Sequence, residues 1–340
     1  MTQNGAITAP LSATVTGIET ANFTSGTTAN SLNTSSWTGL TALNMTGVNA
    51  QTATAAATTA ITITETGLAT GGTVTVNGGS SVTVNSTSAV AVAAAAAGGT
   101  ITVGTTTAAK GAVSVTAANT SALVGNTEEA TGGAINVTGG STITVASTMA
   151  STAAANATVL TGSVDVEHVR SAIAIVGDSS TTAVTVSQSA AVAGVSSASI
   201  GRVGIKDGTV SVLDASRAST TAAGTITTVS ITDAGGATIN SGALTTLNLA
   251  GTLTTVNAGT SGALTTAANT TLAINLTGAV ATGALTIDTD FKTLNISGNT
   301  TASTIADLVN AAVTTINVSG DAKVTLTDYD PATITGRIQN

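Results

Sequence analysis

The chain has 340 residues, with 8 basic and 16 acidic side chains, a single histidine and no cysteine. Charged residues make up 7% and aromatic residues 1%, so the large anchors of an ordinary globular enzyme core are missing. The formal charge of −8 argues against nucleic acid as a partner, because that binding rests on neutralising phosphates with cations, and against basic adhesion to an anionic membrane surface.

Mean hydropathy is +0.43, raised by Ala and Val scattered among Thr, Ser and Gly. The longest apolar run, 89–97, is about half of the roughly 20 residues a transmembrane helix needs. No transmembrane segment is expected. The opening Met1-Thr2-Gln3-Asn4-Gly5 lacks the basic and apolar regions of a signal peptide, so export would use another signal or the chain would be an excised piece. The absence of cysteine excludes disulfides and thiolate metal sites without naming a compartment.

Taken in chain order, the elements are set by alternation. Thr73-Val74-Thr75-Val76, Ser81-Val82-Thr83-Val84, Ala112-Val113-Ser114-Val115, Thr142-Ile143-Thr144-Val145 and Ala183-Val184-Thr185-Val186 place a β-branched apolar residue at every second position. Period two means one buried and one exposed face, and Thr on the outer face favours strand without adding charge. Turns such as Asn77-Gly78-Gly79 and Thr138-Gly139-Gly140 punctuate the strands. Ala-rich stretches at 53–60, 93–97 and 153–155 carry helix propensity but are flanked by Thr and Gly. The best helical candidate is 304–312, where Ile305, Leu308 and Val309 stand at helical spacing behind a Thr304 cap.

A five-residue phrase recurs: Leu or Ile, Asn, an aliphatic, a small residue, Gly. It occurs at Leu43-Asn44-Met45-Thr46-Gly47, Ile135-Asn136-Val137-Thr138-Gly139, Leu247-Asn248-Leu249-Ala250-Gly251, Ile274-Asn275-Leu276-Thr277-Gly278, Leu294-Asn295-Ile296-Ser297-Gly298 and Ile316-Asn317-Val318-Ser319-Gly320. In the last third the copies lie 20 to 27 residues apart, the scale of one solenoid coil. The fold class expected is therefore all-β, a parallel β-solenoid or β-helix of stacked short strands with little helix. Asn248, Asn275, Asn295 and Asn317 should occupy equivalent outward places in successive coils. Five of the six phrases also match the Asn-x-Ser/Thr glycosylation pattern, matches that chance produces in a chain this rich in Thr and Asn and that an Asn ladder explains better.

Charge divides the chain. Before Thr161 the charged residues are Glu19, Glu65, Lys110, Glu128 and Glu129, and every Asp and Arg follows. Two blocks, a nearly uncharged 1–160 and a more acidic 161–340, are expected, with one continuous solenoid as the alternative. The cluster Val164-Asp165-Val166-Glu167-His168-Val169-Arg170 would mark the seam.

Val15-Thr16-Gly17-Ile18-Glu19-Thr20-Ala21-Asn22-Phe23, the Asn phrase, and the segment from Asp328-Tyr329-Asp330 to Ile338 resemble the S-layer proteins of Gram-negative bacteria, of the calcium-dependent, type I-secreted kind related to RTX proteins. The resemblance implies a non-enzymatic β-rich protomer on the cell surface, outside the cell, whose partner is itself in a lattice or filament, with Ca²⁺ ordering the assembly. A cell-surface polysaccharide would be bound through a part not present here. The G-G-x-G-x-D nonapeptide of RTX calcium coils is absent from the sequence. The chain closes on Gly336-Arg337-Ile338-Gln339-Asn340 in mid-repeat, so it is expected to be part of a longer protein.

Chemistry-bearing residues are few. A Ser-His-Asp triad would have to use His168 with Asp165 or Glu167, yet on a strand those carboxylates point away from His168, and a surface ion cluster is the expected reading. For Ca²⁺, which takes six to eight oxygens, the candidates are Asp288 and Asp290, Asp328 and Asp330, each pair placed on one side of an extended segment, and Asp321 in a turn. Asp178 and Asp207 also stand in turns, where aspartate commonly serves the turn alone. The alternative to a lattice protein is an adhesin or autotransporter-like passenger with a ligand site on a solenoid stalk. Trp37 is then the candidate anchor.

Overall fold

A computed structural model describes residues 2–4, 15–26, 29–90, 96–123, 130–153, 166–192, 203–259, 264–330 and 338–339. The described residues contain strands and turns and no helix. They form two compact units: unit 1 comprises Met1–Gly140, Thr144–Ala174 and Gln188–Gly208, and unit 2 comprises Ser141–Ile143, Ile175–Ser187 and Thr209–Asn340. The seam expected at Thr161 lies outside the described residues. Each unit is a parallel β-solenoid.

In unit 1 the first column of parallel strands is Thr20–Ser25, Ala42–Gly47, Ala60–Leu68, Ser81–Val90 and Val113–Leu123. Alternation puts Ala21, Leu43, Ile61, Val82 and Val113 in one buried rank, and Phe23, Met45, Ile63, Val84 and Val115 in the next. Each side chain thus lies against its counterparts one coil above and below. Burying one such Val, Leu or Ile stabilises by about 1.5–3 kcal/mol. A second column runs Asn30–Asn33, Gln51–Ala55, Thr73–Gly78, Thr100–Val103 and Ile135–Thr138. The Ala-rich run beginning at Ala53 therefore opens as strand, because Ala53 fills the inner rank between Leu32 and Val76. A third column is Ala96–Ala97, Ala130–Thr131, Val166–Val169 and Val203–Lys206.

Unit 2 repeats the plan with different corners. Val184, Val229, Leu247, Ile274, Ile296 and Val318 are in register in its first column. Val210, Ala237, Val256, Leu285, Leu308 and Tyr329 are in register in its second. Between the columns the register shifts at Thr232/Ala234, Ala250/Thr252 and Ala281/Ala284. Left-handed residues mark this corner: Asp233 at φ 55°, Gly251 at 70°, Gly278 at 58° and Thr300 at 63°. Such bulges bend a strand without ending it.

The corner corrects the expectation of helix at 304–312. Ser303–Val309 is a strand, with Ile305 in register with Leu326 and Leu308 with Tyr329. The three-residue spacing of Ile305 and Leu308 arises because the chain rounds the corner between them and both side chains still point inward. Neighbouring coils on both sides supply the hydrogen bonds that a helix would otherwise make internally.

Candidate functional site

The five aspartates expected to hold calcium occupy two turns and one strand of unit 2. The Asp288 N–H donates to Ala258 O at 3.0 Å and completes the second column, after which the chain turns. Asp288 Oδ1 accepts the Asp290 N–H at 3.0 Å, and the Asp288 carbonyl accepts the Phe291 N–H at 3.2 Å. The segment read as extended is therefore a turn, and the two carboxylates do not share a strand face. Phe291, fully buried, draws the chain back under the coil. Asn310 Nδ2 in the next coil donates to both Asp288 O, at 3.1 Å, and Phe291 O, at 3.0 Å.

Asp321 is exposed, and its Oδ1 accepts the N–H of left-handed Thr300 at 2.9 Å. At an earlier corner of the unit, Asp233, itself left-handed, accepts the Thr252 N–H at 2.6 Å beside Gly251. Asp328 and Asp330 do lie on a strand, Val324–Asp330. Asp328 is exposed and accepts the Tyr329 N–H at 2.8 Å. Its register partner is Asp307, which sequence reading did not single out, and the register partner of Asp330 is Val309. Among the described residues no three His, Cys, Asp or Glu side chains come together in a way that could hold a metal. Six to eight oxygens are needed for Ca²⁺, and these turns offer one or two carboxylates each.

Other acidic groups among the described residues bond the backbone, nearby hydroxyls or an arginine. Asp178 Oδ1 accepts from the N–H and hydroxyl of Ser180 at 2.7 and 2.6 Å, and Asp207 pairs with Arg170 at 2.6 Å. Asp214, also missed from the sequence, is buried and accepts from Ser216 N–H, Thr225 N–H, Ile226 N–H and the Ser241 hydroxyl at 2.8 to 3.0 Å. The Asp214-Ala215-Ser216 spacing of an Asx turn was its legible trace. Glu65 is buried inside unit 1, where its carboxylate accepts from Gly67 N–H at 2.7 Å, Asn49 N–H at 3.2 Å and the Ser86 hydroxyl at 3.1 Å. Burial holds its carboxyl above the usual range, and these hydrogen bonds offset part of that rise.

His168 is not on the surface. It is fully buried in the third column of unit 1, and its Nδ1 accepts the Ala130 N–H at 3.0 Å. In a catalytic triad Nδ1 would donate to a carboxylate, and a nitrogen that accepts from an amide does not. Asp165 and the Glu167 side chain lie outside the described residues. Trp37 is half-buried and meets Phe23 edge to face, with centroids 6.3 Å apart, so its ring is engaged in packing.

The Asn phrases do form ladders. Asn44 Nδ2 donates to Asn22 Oδ1, Asn275 to Asn248 and Asn317 to Asn295, each at 2.8 Å. Asn248 in turn donates to the Ser230 hydroxyl at 2.8 Å. Asn136 stands apart in the second column of unit 1, in register with Thr102. The four C-terminal phrases are not equivalent throughout: Asn275 is in register with Ser297, and Asn295 with Ala273. A shallow groove of about 320 Å³ lies over the Ser230–Asn248–Asn275 ladder, lined among others by Ser230, Thr232, Asn248, Asn275, Thr277 and Asn299. Its groups are neutral donors and acceptors, suited to packing and hydrogen bonding and not to proton transfer. No protein-family model matches this sequence, and no curated protein is significantly similar to it.

Proposed function

We propose that this chain is a structural, non-catalytic module of a bacterial surface layer, whose copies pack side to side through uncharged sheet faces. The observation that carries this reading is the outward face of the first column of unit 1. Asn22, Asn44, Thr62, Thr83 and Ser114 form one in-register rank, and Thr24, Thr46, Thr64, Asn85 and Thr116 form the next. All ten are exposed or half-buried. Ranks of neutral hydroxyl and amide groups spaced about 4.8 Å apart along the solenoid can approach a second copy without stripping water from an ion.

Calcium enters the proposal as a counter-ion shared between copies, not as a resident of the fold. Carboxylates such as that of exposed Asp328 would be brought together by stacking, and like charges a few ångströms apart repel even with water present. Light scattering of the purified chain tests this. Assembly is expected with millimolar-scale Ca²⁺ and not in chelator with sodium chloride at about 0.15 M, where the Debye length is near 8 Å. Equal assembly in both removes calcium and leaves the faces. A chain that stays monomeric under both conditions contradicts the proposal.

A further inference from the structure

We propose that the groove over the Ser230–Asn248–Asn275 ladder of unit 2 binds a neutral hexose. Thr232, Ala250 and Thr277 are in register on neighbouring strands, and the small Ala250 between two threonines leaves the hollow. Asn299 lines it as well. The volume of about 320 Å³ lies at the lower end of small-molecule sites, about 300–1,000 Å³, and suits a ligand of modest size. The site is independent of the packing proposed for the face of unit 1.

The polar groups of the groove have hydrogen-bonding capacity left over. Along the ladder each amide donates the same way: Asn275 Nδ2 to Asn248 Oδ1, and Asn248 Nδ2 to the Ser230 hydroxyl, both at 2.8 Å. The ladder therefore ends on an acceptor, Asn275 Oδ1. Ser297, the register partner of Asn275 in the next coil, turns its hydroxyl aside and donates to Asn299 Oδ1 at 3.1 Å. That bond fixes the Asn299 amide and leaves its Nδ2 as a donor at the groove wall. Exposed Thr232 and Thr277 add hydroxyls that both donate and accept.

These groups select the chemistry of the ligand. The lining carries no charged side chain. Acidic turns lie next along the chain, where Asp233 follows Thr232 and Asp321 holds the N–H of Thr300, the residue after Asn299. A phosphate or carboxylate would meet no cation in the lining. An apolar ligand would strip water from the amides and hydroxyls and return no hydrogen bond. A sugar hydroxyl both donates and accepts, so it can serve Asn275 Oδ1 and Asn299 Nδ2 alike, while the methyls of Ala250 and the two threonines meet its C–H face. With no aromatic ring in the lining, binding is expected to be weak, with Kd on the order of millimolar.

Nuclear magnetic resonance of the full ¹⁵N-labelled chain tests the site. The probes are glucose, galactose and mannose, each used free and as its methyl glycoside, with glucuronate as the anionic control. Binding kept by the glycoside identifies a unit linked in a glycan chain, and binding lost with it identifies a free sugar. At least one probe is expected to shift the side-chain amide signals of Asn248, Asn275 and Asn299 saturably, leaving those of Asn22 and Asn44 in unit 1 unmoved, and glucuronate is expected to shift none. Ala250→Leu, which fills the hollow from the outward face, is expected to abolish the shifts. A nuclear Overhauser contact between the sugar and the Ala250 methyl in the parent chain gives a readout that needs no variant. No saturable shift with any probe, shifts of equal size at Asn22 and Asn44, equal shifts with glucuronate, or binding retained by folded Ala250→Leu overturns the proposal. Should Ala250→Leu fail to fold, saturable shifts with no contact to the Ala250 methyl overturn it.

Discussion

Asn275 donates its side-chain amide to Asn248, 27 residues earlier, at 2.8 Å, while on its other side it is in register with Ser297 and not with Asn295. The ladder is thus made of separate pairs, Asn248 with Asn275 and Asn295 with Asn317, offset by two residues. A two-residue offset keeps every side chain on its face, so the outward asparagines stay outward. Leu272 over Leu294 and Ile274 over Ile296 define the register that results.

This arrangement sets the energetics of the ladder. Asn275→Ala is expected to cost about 0.5–1.5 kcal/mol, the net worth of one hydrogen bond, in urea unfolding. A double-mutant cycle of Asn248 and Asn275 should show coupling of similar size, and one of Asn275 and Asn295 should show none. Equal coupling in both cycles would mean a continuous ladder instead of two pairs.

Glu65 gives a pH dependence of definite sign. Burial raises its carboxyl above the ordinary value, so the folded chain holds that proton more readily than the unfolded one. Its contribution is most favourable below the unfolded value and is lost as pH rises through the folded one. Glu65→Gln, which retains an acceptor for Gly67 and a donor for Ser86, should therefore raise the midpoint of thermal unfolding at neutral pH and leave it little changed in acid. A lower midpoint at neutral pH would show that the charged form is the favoured one.

The two kinds of aspartate should separate on substitution. Asp214→Ala strips partners from three backbone N–H groups and a buried hydroxyl and is expected to cost about 3–5 kcal/mol, as for a broken buried charge network. Asp321→Asn, which keeps an acceptor for the Thr300 N–H in an exposed turn, is expected to stay within about 0.5 kcal/mol, as surface changes do. Chemical denaturation of both variants checks the contrast.

The stacked strands were legible because alternation such as Thr62-Ile63-Thr64 has one meaning in a chain with so few large side chains. The corners were not. Ile305 and Leu308 look helical by spacing, and only the neighbouring coils, with Leu326 and Tyr329 beside them, show that a bend separates them. The phase of the Asn phrase was ambiguous for a related reason, since two alignments two residues apart bury the same faces. His168 was misplaced because its surroundings are assembled from far along the chain, Ala130 on one side and Ile205 on the other, and a pairing that occurs once leaves no repeat to read. The aspartates were visible as residues, but their work as acceptors for Thr300, Asp290 and Tyr329 N–H groups depends on turns whose form the sequence left open.

The lateral face of unit 1 carries the proposed function, and charge placed at its centre tests it most directly. Thr62 and Thr83 are adjacent in one outward rank, half-buried and away from the core, so Thr62→Lys with Thr83→Lys should leave folding intact by circular dichroism while setting two cations where a second copy must approach. Negative-stain imaging of the parent chain and the double variant in Ca²⁺ is expected to show ordered arrays for the parent and dispersed particles for the variant. Arrays of the same order and spacing from a folded double variant would contradict packing through this face.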